Sequence, residues 1–235
     1  MTPENRTAAT PPNVELLRSL GRLVRGLSAL FWGLPIALIV CVLRAISPPG
    51  MDMLSRFGVL PPLLATGWLF YGLWQLGHFQ KQERIWIGAL DRAKWLALTN
   101  LGLSPFLLWW NHQPDVTFFS VAVEILAVCA LFFLSNLNLV LYRLSTMLPD
   151  EHLREETRSF TVINRMLVLG ILVFAIAFVL MLRFPEMVPR LGQIAEIVGP
   201  SGLWVILFLV LLPLAITMAL IWKIKEVILA SVFGA

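Results

Sequence analysis

Apolar residues gather into six blocks along the chain, 27–47, 57–79, 94–110, 117–141, 166–183 and 202–223, each bounded by polar connectors. A helix rises 1.5 Å per residue, so about 20 mostly apolar residues cross a ~30 Å hydrocarbon core. The blocks therefore predict an all-α polytopic membrane protein with six transmembrane helices. The third block is the shortest and is flanked by Trp95 and by Trp109 and Trp110. The run after the first block, "VLRAISPPG", lacks a small-x-small cleavage pattern, so block one reads as a span and not as a leader.

Helical periodicity continues outside the spans. Residues 1–12 hold three prolines and read as a flexible lead. Asn13 then offers a helix cap, and Leu16, Leu17, Leu20, Leu23, Val24 and Leu27 follow helical spacing. Arg18, Arg22 and Arg25 fall on the opposite face. This predicts a basic amphipathic helix on the inner membrane surface, within a tail over 1–26, or else a plain basic flank to the first span. In the connector after block four, Pro149, Asp150 and Glu151 open a helix with acids in its first turn. That charged face is either solvated or a docking surface. "RLGQIAEIVG" places Leu191, Ile194, Ala195 and Val198 on one face, a second interfacial helix. Residues 224–235 read as a cytoplasmic tail.

Composition supports the membrane reading. The chain is 58% hydrophobic and only 14% charged, against about 25% charged for a soluble domain. Its pI near 9.5 does not call for nucleic acid, because the bases sit beside the spans. They crowd one side: Arg18, Arg22 and Arg25; Lys81, Arg84, Arg92 and Lys94; Arg143, Arg154, Arg158 and Arg165; Lys223 and Lys225. The other side holds Arg44, Arg56, Arg183 and Arg190. The positive-inside rule then puts both termini in the cytoplasm, in a cell membrane of the bacterial inner-membrane kind. Trp32, Trp74, Trp86, Trp95 and Trp222 fall near the inner boundary, Trp109, Trp110 and Trp204 near the outer one, and Trp68 well inside a span.

Polar residues within the spans mark the candidate site. Glu124 lies roughly 10 Å below the outer boundary by helical rise. Ser120, Ser104 and Thr66 fall at the same level on spans four, three and two. Pro105 removes the amide that would bond the Leu101 carbonyl, so a protonated Glu124 could donate there or to Ser104. A second level near the inner face holds Gln75, Asn100, Asn136 and Asn138. Such groups must turn inward or toward another subunit. Spans two to four are therefore expected to form the polar core, with spans one, five and six facing lipid. Glu124 reads as a proton or cation site, or as a hydrogen-bonded contact in the bundle. Asp91, Lys94 and Asn100 share offsets with Glu155, Arg158 and Asn164, a faint repeat.

Enzyme signatures are weak. "GPSG", Gly199 to Gly202, resembles the serine motif of rhomboid proteases, but no histidine follows Ser201 to act as base. "EETR" resembles the paired glutamates of CAAX-type membrane proteases without the matching histidines. His78, His112 and His152 do not suit an axial haem pair, and Cys41 and Cys129 read as small core residues. No metal or cofactor is expected. The partners expected are membrane lipids, including anionic inner-leaflet lipids, and other membrane subunits or further copies of the chain. The function expected is that of a subunit or scaffold of a membrane assembly; the alternative is a small transporter or channel using Glu124.

Overall fold

A computed structural model describes residues 14–46, 57–79, 84–148, 151–183 and 189–233, with the side chains of 14–17, 153, 178–206 and 231–233 outside the description. The proline-rich lead, Arg56, Lys81 and Pro149–Asp150 therefore lie outside it, as do the side chains of Ser201 and Trp204. The described residues are helical apart from short turns. In chain order the helices are α1 (Val14–Ile46), α2 (Leu60–Leu76), α3 (Arg84–Leu103), α4 (Phe106–His112), α5 (Thr117–Thr146), α6 (Glu151–Arg183) and α7 (Pro189–Phe233). Four stretches among them are long and apolar enough to cross a membrane: Arg18–Ile46, Thr117–Thr146, Arg154–Ala177 and Leu207–Ala230.

The long helices pack as a closed ring, α1–α2–α3–α5–α6–α7 and back to α1, with α4 against α1 and α5. Two interfaces show why neighbours approach closely. On α1, a Cβ added to Gly26 would lie 2.9 Å from the Gly72 carbonyl oxygen of α2. Two turns on, a Cβ at Gly33 would lie 2.9 Å from Leu69. Small residues of this kind let helix backbones approach where lipid supplies no hydrophobic drive. On α3, Ala89, Ala93 and Ala97 form a buried small-residue stripe at four-residue spacing. It lies in one core with Leu137, Val140, Leu141 and Leu144 of the neighbouring α5.

Local signals set the helix ends. Gly58 at φ +58 takes the left-handed turn before α2, and Pro61 and Pro62 occupy its first turn, where a missing amide costs nothing. Pro105 stops α3, and α4 resumes at Phe106. Rings of Phe106, Trp109, Phe118 and Phe119 then hold α4 against the start of α5, with centroids 5.1–6.3 Å apart.

The structure departs from the sequence reading in three ways. First, the segments beyond the apolar blocks continue the same helices, which for 14–26 is the flanking alternative and not a separate surface helix. The basic segment runs straight into the first span as α1, and Leu23 and Leu27 are fully buried in the bundle. Residues 190–199 and the expected tail belong to the same helix α7, where Ile224 and Ile228 are buried. Second, α1 and α7 are not peripheral, whereas α6 exposes Val162, Met166, Leu169 and Val173, as expected of an outward-facing helix. In a closed ring every helix has two neighbours, so α1 buries Leu23, Leu27, Leu30 and Leu34, and α7 buries Ile221 and Ile224. Third, Trp86, expected among the boundary rings, is fully buried inside the bundle. It shares the face of α3 that carries Ala89, Leu90 and Ala93 into the core. Trp32, Trp68, Trp74, Trp95, Trp109 and Trp222 are exposed on the outside of the bundle.

Candidate functional site

Thr66 and Ser104, expected at one level, do meet. Both are buried, with Thr66 Oγ1 3.5 Å from Ser104 Oγ. Each hydroxyl is already engaged on its own helix. Thr66 Oγ1 donates to the Pro62 carbonyl at 2.8 Å, and Ser104 Oγ donates to the Leu101 carbonyl at 2.9 Å. The second bond gives the Leu101 carbonyl a donor on its own helix. Pro105 does deprive the Leu101 carbonyl of its amide, but the serine one position earlier satisfies it. Removing that hydroxyl should leave a buried carbonyl unpaired. Ser104→Ala is expected to destabilise the fold by about 1 kcal/mol. Adding Pro105→Ala, which supplies the missing N–H, should recover most of it in a thermal unfolding series.

The other two members of the expected site stand apart from that pair in role. Ser120 donates to the Pro114 carbonyl at 3.3 Å and so closes the turn between α4 and α5. Glu124 is half-buried on α5, one turn further on. On α1, Arg44 is 3% exposed, and its carbonyl accepts a 2.6 Å bond from Asn111 Nδ2 of α4. Arg44, expected at the outer end of the first block, is thus packed into the bundle.

The inner polar level divides. Gln75 donates to Tyr71 at 2.7 Å and Asn136 to its own Phe132 carbonyl at 3.0 Å; both bonds are local to one helix. Asn100 is 7% exposed, and its Oδ1 has no hydrogen-bond partner. Asn138 is 1% exposed and reaches across the ring. Its Nδ2 donates to Thr217 Oγ1 of α7 at 2.8 Å and to the Leu134 carbonyl at 2.8 Å.

Thr217 is the centre of the most connected polar group among the described residues. Its oxygen also accepts from Asn164 Nδ2 of α6 at 3.0 Å. Its own proton goes to the Pro213 carbonyl at 2.7 Å. One hydroxyl donates once and accepts twice, which is all it can do. Three helices, α5, α6 and α7, are joined at this point, and all three side chains are at most 1% exposed. Sequence reasoning had these residues in hand but not their grouping. The available signal was Thr217 standing four residues after Pro213, where its side chain can bond back along the helix. Asn100 and Asn164 of the faint repeat are both buried, each with an Oδ1 that has no hydrogen-bond partner among the described residues, but Asn138 outside the repeat shares this feature.

Toward the start of α6, the Glu156 carboxylate pairs with Lys223 of α7, and His152 Nδ1 lies 3.6 Å from it. Arg18, Arg22 and Arg25 are all exposed on α1. Among the described residues no three His, Cys, Asp or Glu side chains gather as a metal site. No family model matches the chain, and neither a curated protein nor a solved structure is similar to it.

Proposed function

We propose that the chain is a six-span, multi-pass protein of a bacterial-type cytoplasmic membrane, with both termini inside, serving as a structural subunit of a membrane assembly. Apolar length alone selects four helices. Support for the other two crossings comes from their alignment with α1. Gly26 opposes Gly72 and Gly33 opposes Leu69, so α2 descends alongside the rising α1. Lys94 lies over Trp74, Ser104 meets Thr66, and Asn111 reaches Arg44, so α3 and α4 climb back through the same slab. The one-sided distribution of Arg and Lys supports the orientation.

The observation that carries the structural role is the Asn138–Thr217–Asn164 contact. The deepest polar side chains of three helices bind one another, which stiffens a bundle and offers a solute little. Partner contact would fall on the exposed face of α2, where Trp68, Tyr71 and Trp74 stand out beside the Tyr71–Gln75 bond.

Glu124 separates this reading from a transporter. Glu124→Gln keeps the side-chain shape and removes the titratable proton. In the structural reading the variant keeps its oligomeric mass and co-purifying chains, and reconstituted vesicles show the same proton and cation permeability as wild type. Flux present in wild type and lost in the variant would overturn it.

A further inference from the structure

Buried polar side-chain atoms are nearly always hydrogen-bonded, because a bare one forfeits its contact with water and gains nothing in return. Three atoms on α5 and α6 depart from this. Asn138 Oδ1, Asn164 Oδ1 and Thr157 Oγ1 have no hydrogen-bond partner among the described residues, and each residue is at most 1% exposed. Two of the three belong to the contact around Thr217, where the partners fix which end of each amide is nitrogen. The Leu134 carbonyl can only accept, so it faces Asn138 Nδ2. Thr217 gives its one proton to the Pro213 carbonyl, so it offers Asn164 a lone pair and faces Asn164 Nδ2. Turning either amide would set oxygen against oxygen. Two acceptors are thus left beside one shared hydroxyl.

The third atom lies on the same seam. Thr157 precedes Asn164 on α6 by the same interval that separates Asn138 from Ser145 on α5. The interval is about two helical turns, roughly 10 Å of rise. The two helices pack together, are joined by a short connector and hold their asparagines level at Thr217. Thr157 and Ser145 are therefore level as well, two turns nearer the connector. Ser145 is fully buried and its proton goes to the Tyr142 carbonyl at 2.8 Å, but its oxygen can still accept. One level thus calls for two donors, the other for a link between two hydroxyls. Water supplies both, and a buried water ordinarily makes about three hydrogen bonds to groups of this kind. A hard cation suits the site less well. It takes about six or more oxygens, often from carboxylates, and no Asp or Glu lies within a turn of Asn138, Asn164 or Thr217 on its own helix.

We infer that the α5–α6 seam binds ordered internal water, one molecule bridging Asn138 Oδ1 and Asn164 Oδ1 beside Thr217 and another joining Thr157 to Ser145. The polar contact that ties α5, α6 and α7 together is then a protein–water network, and its hydration extends two turns along the seam. The inference needs only the packed interior and is independent of the scaffold role.

The test uses the full chain in lipid nanodiscs and X-ray radiolysis, which turns water held beside a side chain into hydroxyl radicals that oxidise it. Leu141 and Ile221 lie within a turn of Asn138 and Thr217 and are fully buried; Leu27 and Leu73, between α1 and α2, are equally buried and serve as controls. Wild type is expected to oxidise at Leu141 and Ile221 several-fold faster than at Leu27 and Leu73. With Asn138→Leu, Asn164→Leu and Thr217→Val combined, the difference should vanish. Equal rates at all four positions in wild type, or fast oxidation that persists in the folded triple variant, would overturn the inference. A crystal structure of wild type grown from a lipidic mesophase containing rubidium gives an answer that does not depend on the variant folding. It should show a water within hydrogen-bonding distance of both amide oxygens. A dry contact there, or a rubidium anomalous peak, would overturn the inference.

Discussion

Gly72→Leu is expected to remove most of the folded protein. The α1–α2 interface is a backbone contact at this point. A bare Cβ at Gly72 would already lie 2.9 Å from Leu30 Cγ and 3.2 Å from the Gly26 carbonyl oxygen. Leu30 is fully buried and has little room to give, and the carbonyl belongs to a helix that cannot bend away without opening the rest of the seam. Overpacking a tight core costs roughly 1–3 kcal/mol, and a four-carbon side chain here belongs at the upper end, about 3 kcal/mol. Gly88 and Gly102 supply the control. A Cβ at either meets nothing within 4 Å, so leucine there should change stability by under about 0.5 kcal/mol. Thermal unfolding and monodisperse yield in detergent separate the two outcomes. Equal behaviour of Gly72→Leu and Gly88→Leu would mean that α1 and α2 are not in backbone contact.

Thr217→Val carries the second large effect. Valine keeps the shape and removes the acceptor that two buried asparagines share. Leaving a buried donor unpaired costs about 1–3 kcal/mol. Hydrogen bonds between membrane helices average only ~0.6 kcal/mol, because the unfolded reference finds partners too. The two bounds place the expected loss at about 2 kcal/mol, larger than for an average pair because Asn164 Nδ2 loses its acceptor while Asn138 Nδ2 is left with the Leu134 carbonyl alone. The same asymmetry predicts rescue. Replacing all three side chains, Asn138→Leu, Asn164→Leu and Thr217→Val, leaves no orphaned group and should restore much of the lost stability. A triple variant less stable than the single one would show that the three side chains contribute more as a network than their apolar replacements do.

Much of the bundle was legible in the sequence because the membrane imposes a single requirement on each helix: a long apolar run bounded by charge and aromatic rings. Glycine and proline mark helix ends at Gly58, Pro61 and Pro105, yet Pro105 falls inside block three, which the structure divides into α3 and α4. What periodicity could not supply was the partner of each face. Leu20, Leu23 and Leu27 would look the same whether they met lipid headgroups or α2; only Gly26 beside them, small enough to admit another backbone, distinguished the cases. Trp86 shows the same limit, since an indole near a charged connector suits a boundary as well as a core. The candidate site was half legible. Depth arithmetic brought Thr66 and Ser104 to one level, because two adjacent antiparallel helices keep register. It could not foresee that Ser104 would itself satisfy the Leu101 carbonyl. Nor could it join Asn138, Asn164 and Thr217, which lie on helices whose mutual order depends on ring closure.

The proposed six-crossing arrangement underlies the depths inferred above, and cysteine accessibility tests it most directly. In a background of Cys41→Ala and Cys129→Ala, single cysteines are placed by His78→Cys at the end of α2, Asp115→Cys between α4 and α5, and Glu155→Cys near the start of α6. Intact cells expressing each variant are treated with a membrane-impermeant maleimide. Asp115→Cys is expected to be labelled from outside, and His78→Cys and Glu155→Cys only after the membrane is permeabilised. Labelling of His78→Cys in intact cells would contradict the account, because α2 would then not cross and α3 with α4 would have no return path.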